Sequence, residues 1–164
     1  QTRVCFDFSQ IIIHNGTRKI TKGCVLMKIT CLVENTSLRE DIGAEHGLSL
    51  YVETNGRKLL FDMGQTAMFA ENAEKLGVDL SSVDLCMLSH GHYDHGGGLA
   101  AFLQLNKKAN VYVSEHAFGD YYSSPEKYIG LDKFLQQTLV ASLFGVIFSI
   151  ISRIKFLLPI KGMY

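Results

Sequence analysis

The sequence predicts an α/β fold built on one sheet, and three observations support this prediction. Short apolar strands alternate with helical stretches between residues 48 and 114, an order typical of a layered α/β sheet. An Asn55-Gly56 pair separates two of the strand-like runs. A cluster of histidines directly follows another of them, and ligands of such sheets gather at the carboxyl ends of strands.

We predict the first three strands at residues 27–34, 48–53 and 57–62. Asn55 and Gly56 both tolerate positive φ, which a type I′ turn requires. The second and third strands are therefore expected to form a tight hairpin, and this is the strongest local prediction that the sequence allows.

Two helices are predicted from apolar residues at helical spacing. The first covers residues 65–76 and ends before Gly77, because glycine is common just past the end of a helix. The second covers residues 97–105. The apolar face of the first helix consists of Met68, Phe69, Ala73 and Leu76.

Two short apolar strands, at residues 84–89 and 111–114, lie on either side of the second helix. With the preceding elements they give the order strand, helix, strand, helix, strand, which predicts the layered sheet. The strand at residues 84–89 runs directly into the histidines, so the cluster is expected at its carboxyl end.

The two ends of the chain differ in character from residues 27–132, which we predict to form the domain. Residues 1–26 contain an Asn15-Gly16 turn pattern but no sustained period, and we expect them to be an upstream extension. Residues 133–164 are expected to be a divergent apolar tail with a run of nineteen uncharged residues. A membrane span, a buried helix or strand pair, and a segment foreign to the fold all stay open for this tail.

The composition limits the expected partners. Sixteen basic residues balance sixteen acidic ones, so no net field attracts nucleic acid or an anionic membrane. A small-molecule substrate fits this balance. The four cysteines are scattered without paired spacing, which is typical of reduced thiols in a cytoplasmic protein.

Four side chains between positions 90 and 95 are candidate metal ligands. His90 and His92 follow a strand two residues apart, so their side chains leave an extended backbone on the same side and can share one ion. Asp94 and His95 come where the chain turns toward a helix, and we expect them to point away and reach a second ion. Two such ions, about 3.5 to 4 Å apart, would lower the pKa of a shared water from about 15.7 to near 7.

The residues around this cluster have competing interpretations. A histidine-rich surface loop is the alternative to a metal site, but four candidate ligands within six positions favour the site. The glycines at 96–98 allow a tight turn, and an anion there would meet amides at the start of the next helix. His46 lies before the second strand and could approach the metal cavity, but a capping or packing role is expected. Tyr121 belongs to an aromatic run that either lines a substrate cleft or forms a structural loop.

Residues 90–95, HGHYDH, resemble the HxHxDH motif of the metallo-β-lactamase superfamily. The run LLFDMG at residues 59–64 is similar to the upstream strand of that family, which ends in an aspartate and a glycine. The resemblance covers roughly residues 27–132. Three further stretches resemble the branch typified by dihydropterin-ribofuranosylaminobenzene phosphate synthase, namely residues 27–37, 44–50 and 128–131.

The resemblance implies an αββα sandwich of which this chain contains only the N-terminal αβ half. It implies two zinc ions, with iron or manganese as other possibilities. His90 and His92 would bind the first ion, and Asp94 and His95 the second. Asp94 would also orient the attacking hydroxide as the catalytic residue, and Asp62 would support the ligands without binding an ion itself.

Family members supply a third histidine, a bridging aspartate and a last histidine from the second half of the sandwich. No counterpart is found in this sequence, since His116, Asp120 and Asp132 lack the matching context. We therefore expect either a metal-dependent hydrolase or related transferase, or an inactive truncated remnant with at most weak metal binding. A variant tethered to a membrane through residues 139–158 is a third hypothesis, and exposed sheet edges would favour self-association.

Overall fold

A mixed sheet forms the centre of the computed structural model, which describes residues 2–14, 17–137 and 154–157. The strands in these residues are β1 (Thr2–His14), β2 (Thr17–Val33), β3 (Ser49–Thr54), β4 (Arg57–Phe61), β5 (Leu85–Leu88), β6 (Asn110–Ser114), β7 (Tyr122–Ser124), β8 (Lys127–Tyr128) and β9 (Ile154–Leu157). The sheet order is β1-β2-β3-β4-β5-β6-β9, and β7 pairs with β8 separately. Neighbours are antiparallel from β1 to β4 and parallel from β4 to β9.

In the described residues, helices follow the strands β4 and β5, as the sequence predicts for an α/β fold. They are α1 (Met68–Lys75), α2 (Tyr93–Gly96) and α3 (Leu99–Leu105), with 3₁₀ turns at Leu80–Ser82 and Glu115–Phe118. The first helix begins later than predicted, because the amides of Gln65 and Thr66 donate to Glu45 Oε1 at 2.9 Å. These two residues are thereby held outside the helix.

The predicted hairpin between β3 and β4 is confirmed. Asn55 has φ 49° and Gly56 has φ 71°, the left-handed values of a type I′ turn. Thr54 pairs with Arg57 across the turn, so the register follows from the two-residue loop. The other predicted strands and both predicted helices are also present, mostly with bounds that shift by a few residues. The exception is the strand predicted at residues 27–34, which is the end of β2 and begins ten residues earlier, at Thr17.

The hydrophobic core lies on one face of the sheet, beneath the helices. Cross-strand register aligns Tyr51, Leu60, Cys86 and Val111 in one row, and all four side chains are buried. This row belongs to one hydrophobic cluster with helix residues, of which Phe69, Leu99 and Phe102 are fully buried. Burial of these large side chains fixes α1 and α3 against the sheet. The opposite row, Leu50, Phe61, Met87 and Tyr112, is half-buried.

The two ends of the chain contribute strands at the edges of the sheet. β1 pairs with β2 along its whole length, from Thr2 opposite Ile29 to His14 opposite Thr17, whereas the sequence showed no sustained period there. Backbone hydrogen bonds hold such a ladder, and side-chain periodicity does not reveal them. Asn15 itself lies outside the described residues, and the domain boundary at residue 27 stays a prediction.

Most of the predicted apolar tail lies outside the described residues, including most of the segment 139–158. Residues 154–157 form β9, which pairs in parallel with β6 at the edge of the sheet. Within the described residues, no helix is both long and apolar enough to cross a membrane. Self-association through the outer strands β1 and β9 stays a prediction.

Candidate metal centre

The candidate site lies where the neighbouring parallel strands β4 and β5 end. Phe61 pairs with Met87 in the ladder, and the amide of Asp62 then donates to the Met87 carbonyl at 2.9 Å. Parallel strands bring their carboxyl ends to the same edge of a sheet, so Asp62 after β4 meets Ser89 and His90 after β5. The topology therefore joins two sequence motifs that are more than twenty positions apart.

The Asp62 carboxylate is fully buried and accepts three hydrogen bonds. Its Oδ1 accepts from the Ser89 amide at 2.7 Å, and its Oδ2 accepts from Ser89 Oγ, also at 2.7 Å. The third bond comes from His95 Nδ1 at 2.7 Å. Three donors compensate the burial of the charge. The left-handed φ of 55° at Asp62 is unusual for a residue other than glycine and indicates a backbone held by this network.

These hydrogen bonds determine which ring nitrogens of two histidines carry hydrogen. An ionised carboxylate only accepts, so His95 carries its hydrogen on Nδ1 and leaves the Nε2 lone pair available. Ser89 Oγ donates its one hydrogen to Asp62, so the 2.9 Å contact with His90 Nδ1 is donated by the imidazole. His90 thus also presents a bare Nε2, the form in which imidazole binds metals.

The three histidine rings of the motif lie against one another. Ring centroids are 4.5 Å apart for His90 and His92, and 4.2 Å apart for His90 and His95. Burial lowers the pKa of His90, and the neighbouring imidazoles of His95 and His92 lower it further. His95 does not point away from the first pair as expected, because Asp62 holds its ring beside His90.

Asp94 lies at the rim of this histidine cluster. Its side chain is 14% exposed, and its Oδ2 lies 3.8 Å from His95 Nε2. A second imidazole, that of His46, approaches the same oxygen at 3.3 Å. This contact differs from the capping or packing role that is expected for His46 from the sequence. Its spacing from the HxHxDH motif carries no signal, since only the fold brings the two segments together.

A short segment after β8 holds His92 from the other side. His92 forms an isolated antiparallel bridge with Gly130, and the Tyr93 amide donates to the Ile129 carbonyl at 3.0 Å. The ring of Tyr121 packs edge-on against the His92 ring with centroids 5.1 Å apart. Of the two interpretations of Tyr121, this contact favours the structural one, in which its aromatic ring orients a histidine.

Two of the three glycines after the motif, Gly97 and Gly98, are required by close backbone approach. A Cβ at Gly97 would lie 2.0 Å from the carbonyl oxygen of Gln65, and one at Gly98 would lie 2.3 Å from that of Met63. The amide of Gly98 donates to the Gly64 carbonyl, and that of Gly97 donates to the Tyr93 carbonyl. Both amides are therefore already used, and the predicted anion contact finds no support at these two positions.

The comparisons identify the family to which these motifs belong. The metallo-beta-lactamase superfamily matches residues 42–158 of the chain. The chain belongs to this superfamily. The match includes all of β3, the Asp62 network and the histidine cluster, and it extends to the β9 strand.

Three relatives show how much of a full-length protein the chain represents. An uncharacterized protein of Methanocaldococcus jannaschii is 36% identical over 68% of this chain and 43% of its own length. The 7,8-dihydropterin-6-methyl-4-(β-D-ribofuranosyl)-aminobenzene-5′-phosphate synthase of the same organism is 34% identical over 56% of this chain and 34% of its own. The solved structure of Tm1679, a metal-dependent hydrolase of the beta-lactamase superfamily, is 32% identical with a TM-score of 0.57. That match covers 80% of this chain and 42% of the hydrolase, so the chain spans less than half of each relative.

The donor set fits the metal chemistry of the superfamily in kind. Imidazole nitrogens and a carboxylate are ligands for zinc, iron and manganese, and the hydrogen bond from His95 to Asp62 is the outer support that metal-binding histidines commonly have. The arrangement as it stands is not a closed coordination shell. In the described part of the chain, no group of three or more His, Cys, Asp or Glu side chains could hold an ion.

The two aspartates downstream of the motif, Asp120 and Asp132, have partners outside the histidine cluster. Asp120 forms an ion pair with Lys133, and Asp132 Oδ1 accepts from the Leu135 amide at 2.8 Å. The side chain of His116 is exposed in its 3₁₀ turn. In the described residues, neither aspartate joins the histidine cluster.

Proposed function

We propose that this chain carries metal-binding residues of a metal-dependent hydrolase, or of a related transferase, with a small-molecule substrate. His90 and His92 would bind one ion, and Asp94 and His95 a second. Zinc is the proposed metal, and iron or manganese also suits imidazole with carboxylate. Bound ions of this kind act as Lewis acids and make hydroxide available near neutral pH.

The observation that carries this proposal is the Asp62 network. One buried carboxylate orients His95 directly and His90 through Ser89, each with a hydrogen on Nδ1. Both histidines therefore keep a bare Nε2, and burial lowers the pKa of His90. Burying a carboxylate for this purpose is costly, and a simple surface loop would not need it.

Asp94 is the proposed catalytic residue. Its carboxylate is part of the same cluster, 3.8 Å from His95 Nε2, and 14% of the side chain is exposed at the rim. A substrate that approaches from solvent would meet this oxygen together with the imidazoles. In this position the carboxylate would orient an attacking hydroxide toward the substrate.

The relatives support both reaction classes. A metal-dependent hydrolase gives the similarity in structure, and a synthase gives one of the similarities in sequence. Because the chain spans 42% of the former and 34% of the latter, the activity of the full-length protein is a proposal drawn from these relatives. The substrate differs widely among proteins with this fold, and fold alone does not specify it.

One observation favours the alternative of a remnant that binds at most one ion weakly. In the described residues no three ligands converge on one point, whereas stable zinc sites use three or four protein ligands. Two imidazoles alone would hold an ion loosely. The two candidate functions therefore differ in the number and affinity of bound ions.

The test is the metal content of the chain purified without chelators, measured by plasma mass spectrometry. We expect close to two ions per chain for the natural sequence and a loss of at least one in His92→Ala. His116→Ala is the matched control, because it removes an exposed histidine that is not among the proposed ligands.

The outcomes separate the two candidate functions. One ion that dialysis removes from the natural chain would favour the weakly binding remnant. No bound metal would contradict the proposal, and an equal loss in His92→Ala and His116→Ala would contradict the proposed ligand set.

A further inference from the structure

Residues 44–48, which lead into β3, are anchored against the segment that supports the histidine cluster. Glu45 Oε2 accepts a hydrogen bond from Thr66 Oγ1 at 2.7 Å, and its other oxygen accepts the backbone amides described above. The amide of Gly64 donates to the Leu48 carbonyl at 2.9 Å. Hydrogen bonds at Glu45 and at Leu48 thus fix the backbone on both sides of His46.

The backbone of this segment also touches the metal motif itself. A Cβ at Gly47 would lie 1.9 Å from the carbonyl oxygen of Asp94, and the φ of Gly47 is 129°, a value that favours glycine. The Gly47 amide donates to Asn35 Oδ1 at 3.0 Å. No side chain separates the two backbones here, so the approach of His46 to Asp94 follows from main-chain packing.

We propose that His46 is a positioning residue of the metal centre, and that it holds the Asp94 carboxylate in the orientation in which this residue binds an ion. His46 Nε2 lies 3.3 Å from Asp94 Oδ2, nearer than His95 Nε2 at 3.8 Å. Asp94 is 14% exposed, and a carboxylate so far removed from water requires polar neighbours. Of the two imidazoles beside Asp94 in the described residues, His95 is already held by Asp62, and His46 is therefore the one proposed to orient Asp94.

The exposure of His46 separates this role from a structural one. Its side chain is 66% exposed, so it buries little apolar surface, and exposed polar pairs contribute little to the free energy of unfolding. Outer partners of metal ligands, in contrast, typically change metal affinity by about 10-fold to 100-fold when they are removed. His46 should therefore affect metal binding more than folding.

The inference rests on the proposed function, and a titration with Co²⁺ alone tests both. In His46→Ala we expect about 10-fold weaker binding and an altered visible absorption of bound Co²⁺, because a carboxylate ligand has moved. His46→Gln offers an amide at similar reach and should recover part of both signals. The control is Arg39→Ala, in the same connection between β2 and β3. Among the contacts described, the Arg39 side chain pairs only with exposed Asp41.

Each result supports or overturns a defined part of the argument. If the natural chain does not bind Co²⁺, the proposed function is wrong, and the positioning role that rests on it is overturned with it. If the natural chain binds Co²⁺ and His46→Ala matches it in affinity and spectrum, the positioning role is wrong. The role is also wrong if circular dichroism shows that both His46 variants lose their fold. It is wrong as well if His46→Ala binds Co²⁺ more weakly with an unchanged spectrum and His46→Gln recovers none of the affinity.

Discussion

A carboxylate in the antiparallel part of the sheet and one in the parallel part have opposite environments. Glu53 on β3 pairs across the sheet with Lys28 at 2.9 Å, and each side chain is about a third exposed. Asp62, after β4, is fully buried with three donors. Exposed ion pairs such as Lys28–Glu53 contribute little to the free energy of unfolding. The buried Asp62 carboxylate, in contrast, orients the proposed metal ligands. Of these two carboxylates, the one whose burial is costly lies where parallel strands end.

A glycine in the antiparallel part of the sheet and one beside the histidine cluster also differ in how closely other atoms surround them. Gly56 in the β3–β4 hairpin has a left-handed φ and open space around the position of a Cβ. Gly97 beside the histidine cluster has φ −60°, which any residue adopts, but backbone atoms surround it closely. The hairpin glycine is selected by conformation and the other by packing. Substitutions of these matched residues should therefore have effects of different size.

The largest effect is expected for Asp62→Ala. The change removes the buried acceptor of three partly buried hydrogen bonds, from the amide and hydroxyl of Ser89 and from the ring of His95. Each donor left without an acceptor costs about 1 to 3 kcal/mol, so we expect the free energy of unfolding to fall by about 3 to 5 kcal/mol. Chemical denaturation followed by circular dichroism measures this change.

Asp62→Asn serves as the control for shape. An amide retains one acceptor oxygen but cannot accept from all three donors, so it should fall between the natural chain and Asp62→Ala. Metal content should decrease in both variants, because His90 and His95 lose their fixed orientation. A fully stable Asp62→Ala protein with unchanged metal content would refute the importance of the network.

The second effect is expected for Gly97→Ala. The new Cβ would lie 2.0 Å from the Gln65 carbonyl oxygen and 2.5 Å from that of Tyr93, so main-chain segments must move apart. Such overpacking destabilises by about 3 kcal/mol. Because the displaced segments carry the metal motif, Co²⁺ affinity should fall together with the midpoint of denaturation.

A smaller effect is expected for Gly56→Ala in the hairpin. Nothing lies within 4 Å of the new Cβ, so only the left-handed φ of 71° opposes the change. This costs about 1 kcal/mol, and the distant metal motif should keep its affinity. If Gly56→Ala destabilised the chain as much as Gly97→Ala in parallel denaturation curves, packing would not be the distinguishing factor.

The same contrast explains what the sequence could predict. The hairpin at Asn55 and Gly56 and the amphipathic face around Phe69 depend on neighbours in the chain, and local patterns predicted both. The ladder of β1 with β2 depends on backbone pairing, which such patterns do not encode. Motif spacing could group the candidate ligands, but only the fold could bring His46 beside Asp94, since their contact spans almost fifty positions.

The smallest effect is expected for Glu53→Gln, and its pH dependence has a definite sign. The hydrogen bond from Lys28 lowers the pKa of Glu53 below its ordinary value of 4.5. A lowered pKa in the folded state stabilises the fold above pH 4.5, and this contribution is lost as the pH falls through the lowered pKa. Glu53→Gln should thus reduce the free energy of unfolding by about 0.5 kcal/mol or less at pH 7 and by a smaller amount at pH 3. Lys28→Met should give a similar loss at pH 7, and the double variant should lose less than the sum of the two. If the urea midpoints of Glu53→Gln and the natural chain differed by the same amount at pH 7 and at pH 3, the pair would make no charge-dependent contribution. The antiparallel sheet would then be held by its ladder and core alone.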